Sequence, residues 1–165
     1  MPLISIIMSV YNEEIYLKEA LQSIFNQTIE DYELIIVDDC STDRTVEIIK
    51  SFNDPRIKLI INETNMGLTK NLNKALKLCR GEFIARMDGD DICMPDRLRK
   101  QVEYMRLHPE YMLTGCQTRT FGEQNMTWCL KDNPEKLRIM MLIRPVLAHP
   151  TFMMRKELIF DKNFC

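Results

Sequence analysis

The chain has 165 residues, 45% of them hydrophobic and 28% charged, with a formal net charge of -2. That is the size and balance of one soluble globular domain with a real core. The slight negative charge excludes a general electrostatic grip on nucleic acid, which would need a basic face.

The N-terminus, MPLISIIMSVYNEE, lacks a basic region and turns polar too soon for a signal peptide. No apolar run approaches the roughly 18 residues a spanning helix needs. Six cysteines (Cys40, Cys79, Cys93, Cys116, Cys129, Cys165) are scattered without metal-binding spacing. They read as reduced thiols, and a cytoplasmic location is expected.

Along the chain, short β-branched runs alternate with helical periods. LISIIMSV (Leu3 to Val10) is almost wholly apolar, as a strand buried on both faces should be. Asn12 is an expected N-cap, with Glu13 and Glu14 in the first turn of a helix that carries Leu17, Ala20, Leu21, Ile24 and Phe25. YELIIVDD reads as a second strand and CSTDRTVEIIKSF as a second helix. RIKLIIN is a third strand. MGLTKNLNKALKLCRGEF is a helix with Gly81 as its expected C-cap, and EFIARM is a fourth strand.

A helix should begin near Asp96 and stop before Pro109, with His108 at its end. YMLTGCQTRTF is expected to form a fifth strand. DNPEKLRIMMLI starts a helix with Asn133 as cap and proline after it. TFMMRKELI reads as a strand followed by a helix start. The methionines of LRIMMLIRPVL suit core packing better than a membrane surface. The chain stops at RKELIFDKNFC without a polar tail, as a piece of something longer would. The alternation predicts an α/β fold, a mostly parallel sheet covered by helices on both faces.

In such sheets ligands bind at the carboxyl ends of the strands. Three polar clusters fall there: Ser9 to Asn12, Asp38-Asp39, and MDGDD (Met87 to Asp91). Placing three carboxylates in four residues is unfavourable without a cation between them. Asp88 and Asp90, two apart, share a side if the segment is extended, with Asp91 pointing away. Gly89 allows close approach. Two carboxylates on one face suit Mg2+ or Mn2+, which keep waters and share phosphate oxygens. An aspartyl phosphatase motif fails at Ile92. IIVDD resembles the acidic pair of a phospho-receiver domain and DICMPD the segment after its acceptor aspartate, although that pair should follow the first strand; a receiver-like signalling domain or a non-catalytic nucleotide-binding domain is the alternative reading. Simple capping accounts for Asp43 and Asp96, but not for Asp88 and Asp90 together.

The segments ISIIMSVYNEEIYLKEALQSIFNQT, YELIIVDDCSTDRTVEII, NMGLTKNLNKAL and GEFIARMDGDDICMPDRLRKQ, in this order, resemble the family 2 glycosyltransferases of the GT-A fold. The resemblance runs from residue 3 to about 110 and continues more weakly to HPTFMMRKEL. It implies one GT-A domain over residues 1–165, with a nucleotide-sugar-binding half at 1–115 and the start of an acceptor-side half at 116–165.

It also implies a nucleotide-diphosphate sugar donor, a uridine one being favoured, and a saccharide or lipid-linked acceptor of cell-surface polysaccharide synthesis, with peripheral membrane contact. Val10 and Tyr11 match the loop against the nucleoside, and Asp39 the carboxylate that accepts a base imide N–H. Lys70 stands where the family often has arginine, keeping the cation but losing the planar fork. Asp88 matches a ribose contact or metal ligand, Gly89 lies between, and Asp90 matches the principal ligand of Mn2+ or Mg2+. The implied chemistry is inversion by direct displacement. Its base usually lies in an acidic doublet after the HPTFMMR-like segment, and no such doublet precedes Cys165, so no base is nominated. His149 is left as an acceptor-side or structural residue, and Cys40 and Cys93 as packing residues.

Overall fold

The computed structural model describes residues 1–121, 126–128 and 148–160. Its elements in chain order are β1 (Ile4–Val10), α1 (Leu17–Phe25), β2 (Tyr32–Asp38), α2 (Thr45–Ser51), β3 (Ile57–Ile61), α3 (Leu68–Leu76), β4 (Phe83–Arg86) and α4 (Arg97–Leu107). The short strands β5 (Leu113–Thr114), β6 (Thr118–Arg119), β7 (Thr127–Trp128) and β8 (Met153–Arg155) follow. A short helix, α5 (Glu157–Phe160), closes the series.

Six strands form one sheet in the order β3-β2-β1-β4-β8-β5. The first four run parallel, with β1 paired to β2 and β4 and β3 paired to β2. The eighth strand enters antiparallel, between β4 and β5. A separate hairpin pairs β6 with β7.

Alternation along the buried strands makes two cores, as period two requires. Ile4, Ile6 and Met8 pack with Leu17, Leu21 and Ile49 from α1 and α2 and with Leu98, Val102 and Met105 from α4. Ile7, Ile35, Val37 and Ile84 face the other way, onto Ala75 and Cys79, with Met154 and Ile159 alongside. The sheet is therefore covered on both faces, as the near-continuous apolar runs predict.

Local departures have identifiable causes. Asn12 does not cap a helix. Its φ is +54°, and its Oδ1 accepts from Thr42 N at 2.9 Å, so the chain loops out and α1 starts only at Leu17. Glu13 N and Glu14 N donate instead to Thr45 Oγ1 and Asp43 Oδ2, at 2.8 and 3.0 Å. Gly81 is not a C-cap either, because α3 ends at Leu76 and is followed by Lys77. The glycine is needed for close approach: a Cβ there would lie 2.5 Å from Ser5 N and 2.7 Å from the Ile4 carbonyl carbon. The fifth strand is shorter than expected, since YMLTGCQTRTF divides between β5 in the main sheet and β6 in the hairpin. The helix expected from Asn133 and the stretch LRIMMLIRPVL lie outside the described residues. Among the described residues no helix is long and apolar enough to cross a membrane.

Candidate functional site

The carboxyl ends of β1, β2 and β4 meet around Val10. Its carbonyl accepts from Asp39 N at 2.9 Å. A Cβ built on Gly89 would come within 3.0 Å of its side chain and overlap the Glu13 carboxyl. One buried valine therefore touches the segments after all three strands. Tyr11 follows it, about half exposed at the rim.

Asp39 is buried in a cradle of donors. Its Oδ1 accepts from Asn62 Nδ2 at 2.9 Å and Met66 N at 2.7 Å, and its Oδ2 from Gly67 N at 2.8 Å. Burial pushes its pKa up, but these donors outweigh burial and leave it below the usual carboxylate value. The Asn71 side chain adds to these donors. Asn62 passes the network on to Asn71 and Lys74, at 2.7 and 2.8 Å, and Asn71 reaches Ser9 Oγ at 3.1 Å. Asp38 accepts from Ser41 N at 3.1 Å through Oδ2, while its Oδ1 is buried without a partner among the described residues. Lys70 is exposed on the first turn of α3, where the helix dipole disfavours a cation.

The acidic segment is a turn rather than an extended run. The fourth strand ends at Arg86, and Asp91 N donates to the Asp88 carbonyl at 3.4 Å. Side-chain alternation holds only in extended chain, so Asp91 does not point away. Oxygens of Asp88, Asp90 and Asp91 all lie within 4.8 Å of one another. Burial, reinforced by the Asp90 charge, raises the pKa of Asp91. Burial raises that of Asp88 as well, against the Arg86 guanidinium beside it. Three crowded carboxylates, two of them resisting ionisation, form a hard all-oxygen donor set of the kind Mg2+ and Mn2+ take.

Asp96 precedes α4, but its side chain does not cap the helix. It accepts from Thr28 Oγ1 at 3.2 Å and Arg99 at 3.0 Å. Asp43 does serve a helix start, its Oδ1 accepting from Thr45 N at 2.9 Å. Cys93 is buried, as expected of a packing residue, whereas Cys40 is only partly buried and holds a φ of +66°.

Two functional groups escape a reading of pattern alone. Arg86 is a charged residue inside the buried run FIAR, and that position is itself the signal. Its Nη2 donates to Asp88 Oδ1 at 2.7 Å. Arg97 Nη2 donates to the Arg86 and Pro150 carbonyls at 2.8 and 2.9 Å, tying the acidic turn to the segment before β8. The second is Glu13, which reads in sequence as an ordinary first-turn acid. Its Oε2 is buried without a partner among the described residues. Burial first, then the charges of Asp90 and Asp88, push its pKa up to about 7.

The sign of that shift makes a prediction. The folded chain holds this proton more tightly than the unfolded chain does. Its stabilising effect is therefore complete below about pH 4.5 and is lost as pH rises towards 7. Without added metal, Glu13→Gln should raise the urea midpoint at pH 8 by the equivalent of roughly 1 kcal/mol, discounted for partial exposure, and change little at pH 4. An identical midpoint at pH 8 would contradict this account.

Comparison with known proteins adds independent findings. A family model described as Glycosyl transferase family 2 matches residues 5–160. The amylovoran biosynthesis glycosyltransferase AmsE of Erwinia amylovora is 37% identical over 123 residues, covering 72% of this chain and 46% of AmsE. In Escherichia coli, UDP-Glc:alpha-D-GlcNAc-diphosphoundecaprenol beta-1,3-glucosyltransferase WfgD is 41% identical over 103 residues, covering 62% of this chain and 41% of WfgD. Among solved structures, S. aureus TarS 1–349 in complex with UDP-GlcNAc superposes with a TM-score of 0.79 at 26% identity. That match covers 97% of this chain and 47% of the TarS chain. The chain spans about half the length of the curated relatives it matches. The sheet and its helices are those of the GT-A fold, and the family match overturns the phospho-receiver reading.

Proposed function

The chain belongs to glycosyl transferase family 2, and from that premise we propose that it binds the donor in a metal-dependent, inverting glycosyltransferase. The donor is a nucleotide-diphosphate sugar, and the acceptor is a saccharide or lipid-linked saccharide used in cell-surface polysaccharide synthesis. The observation that carries the reading is the convergence of Asp88, Asp90 and Asp91 within 4.8 Å, beside an aromatic rim and a buried carboxylate. A uridine donor is favoured by two relatives: TarS was solved with UDP-GlcNAc, and WfgD is named for UDP-Glc.

In this reading Asp90 and Asp88 hold Mn2+ or Mg2+, joined by Asp91. The cation would stabilise the charge that develops on the departing nucleotide diphosphate. The protein's own groups do the rest. Tyr11 offers a face to the nucleoside, against Val10. Asp39 accepts from a base N–H, and the donors around its carboxylate keep it ionised for that purpose. Lys70 supplies a positive charge near the mouth. Arg86 holds one oxygen of Asp88 and leaves the other for the ligand.

Residues 1–115 form the nucleotide-sugar-binding half of one domain, and 116–165 begin the acceptor side. No described residue is assigned as the base that deprotonates the acceptor hydroxyl. We place the protein in the cytoplasm, with peripheral contact at the membrane where a lipid-linked acceptor would lie.

Isothermal calorimetry with UDP tests the reading. Binding should require Mn2+ or Mg2+, disappear with EDTA, and exceed that of ADP by at least about tenfold, or 1.4 kcal/mol. No binding of any nucleoside diphosphate in the presence of metal would overturn it.

A further inference from the structure

The buried Arg86 guanidinium has two polar contacts. Nη2 holds Asp88 Oδ1 at 2.7 Å, and Nη1 meets His149 Nδ1. Arginine cannot accept a hydrogen bond, so Nδ1 must be the acceptor and the imidazole proton sits on Nε2. His149 itself is exposed. Its ring is thus anchored at one nitrogen and presents an N–H donor from the other.

The three residues that follow His149 are each held through their carbonyls. Arg86 N donates to the Phe152 carbonyl at 2.9 Å, and Arg97 reaches the Pro150 carbonyl at 2.9 Å. Gln101 Nε2 holds the Thr151 carbonyl at 2.9 Å. The ring also meets Phe152 edge-on, at 6.5 Å between centroids.

The sheet order supplies a direction. Asp39 follows β2, Val10 ends β1, the acidic turn follows β4, and His149 lies just before β8, in the spatial order β2-β1-β4-β8. A ligand with its base at Asp39 and its diphosphate over the acidic turn must carry its third part, the sugar, towards β8.

We propose that His149 donates a hydrogen bond from Nε2 to a hydroxyl of the donor sugar, and that Arg86 is the positioning residue that aligns this imidazole with Asp88. This rests on the donor-site reading above. It makes one guanidinium responsible for the geometry of both the metal-side carboxylate and the sugar contact.

Two measurements test it. The chain has only two histidines, His108 and His149, so long-range proton–nitrogen NMR on histidine-labelled protein reads the tautomer directly. The Nε2–H form is expected for His149 in the wild type at pH 8, with that preference lost in Arg86→Met. An Nδ1–H form in the wild type overturns the positioning role, whatever ligand binds.

Calorimetry with Mn2+ then compares UDP with UDP-glucose, UDP-galactose and UDP-GlcNAc. His149→Phe should weaken the best sugar nucleotide at least tenfold while changing UDP affinity less than twofold, and His149→Gln should restore most of the loss. Equal losses for UDP and sugar nucleotide, no loss, or a wild type that binds no sugar nucleotide more tightly than UDP would each overturn the sugar contact. A wild type that binds no nucleotide at all fails the donor-site reading itself. Should Arg86→Met not fold, Arg86→Gln, whose amide can donate or accept and so imposes no tautomer, takes its place with the same outcomes expected.

Discussion

Replacing Asp90 by alanine should erase the Mn2+-dependent stabilisation of this chain by UDP while leaving the metal-free protein at least as stable as the wild type. The two halves of that result have separate causes. A ligand at about 100 times its Kd stabilises the folded state by about 2.7 kcal/mol. For a domain of this size that is a shift of about 5–10 °C in Tm, and it should vanish when the exposed carboxylate at the tip of the turn is removed.

Without metal the sign reverses, because Asp90 raises the pKa of Asp91 and contributes to the rise at Glu13. Deleting that charge relieves repulsion. Asp88 is a poorer probe, since its loss would strand the buried Arg86 guanidinium and confound folding with binding. Differential scanning fluorimetry with and without Mn2+ and UDP reads both halves. A variant that keeps the full ligand-induced shift would remove Asp90 from the metal site.

The second large effect lies away from the chemistry. Gly81→Ala should destabilise the fold by about 3–5 kcal/mol, because the clash is with backbone that cannot swing aside. The new Cβ would meet Ser5 N and the Ile4 carbonyl carbon at 2.5 and 2.7 Å, where β1 pairs with β4. The site is also tied in place polarly. Gly81 N and Arg80 N donate to Ser5 Oγ at 2.8 and 3.1 Å, Ser5 Oγ donates to the buried Glu33 at 2.7 Å, and Arg80 closes the group on Glu33. Yielding at Gly81 would open that network as well. Urea denaturation measures the loss, and a midpoint within experimental scatter of the wild type would show that the backbone here can move.

These two residues also mark where a sequence is informative. Strands buried on both faces announce themselves as unbroken apolar runs, so β1 to β4 are legible with their approximate bounds, and the helices between them by their presence but not their ends. The carboxyl-end rule then gathered Val10, Asp39 and the acidic segment at one edge.

What could not be read was anything set by contacts between distant segments. Asn12 has the residue type of a cap and the first-turn acids to match. Its loop is held instead by Thr42, Asp43 and Thr45, about thirty positions away. Gly81 looks like a helix terminator until β1 is seen lying against it. Asp91 escapes the alternation rule because β4 ends at Arg86, five residues before it, and the chain is already in a turn. The antiparallel entry of β8 is likewise invisible locally, since MMR has no feature that gives its direction. Arg86 was the one recoverable omission, a charge standing where an apolar side chain belonged.

The place of β1 in the sheet has a consequence for synthesis. As the chain leaves the ribosome, β1 gains β2 as a neighbour after some 38 residues, but its other edge waits for β4, which ends at Arg86. During the intervening stretch the nascent protein displays a seven-residue strand, ISIIMSV, with one row of backbone donors and acceptors unpaired. The α3 segment emerges before β4 does, so one face of the sheet can be covered while that edge is still open. Vectorial folding therefore leaves this largely apolar strand open to unwanted partners while the 48 residues from Asp39 to Arg86 are added.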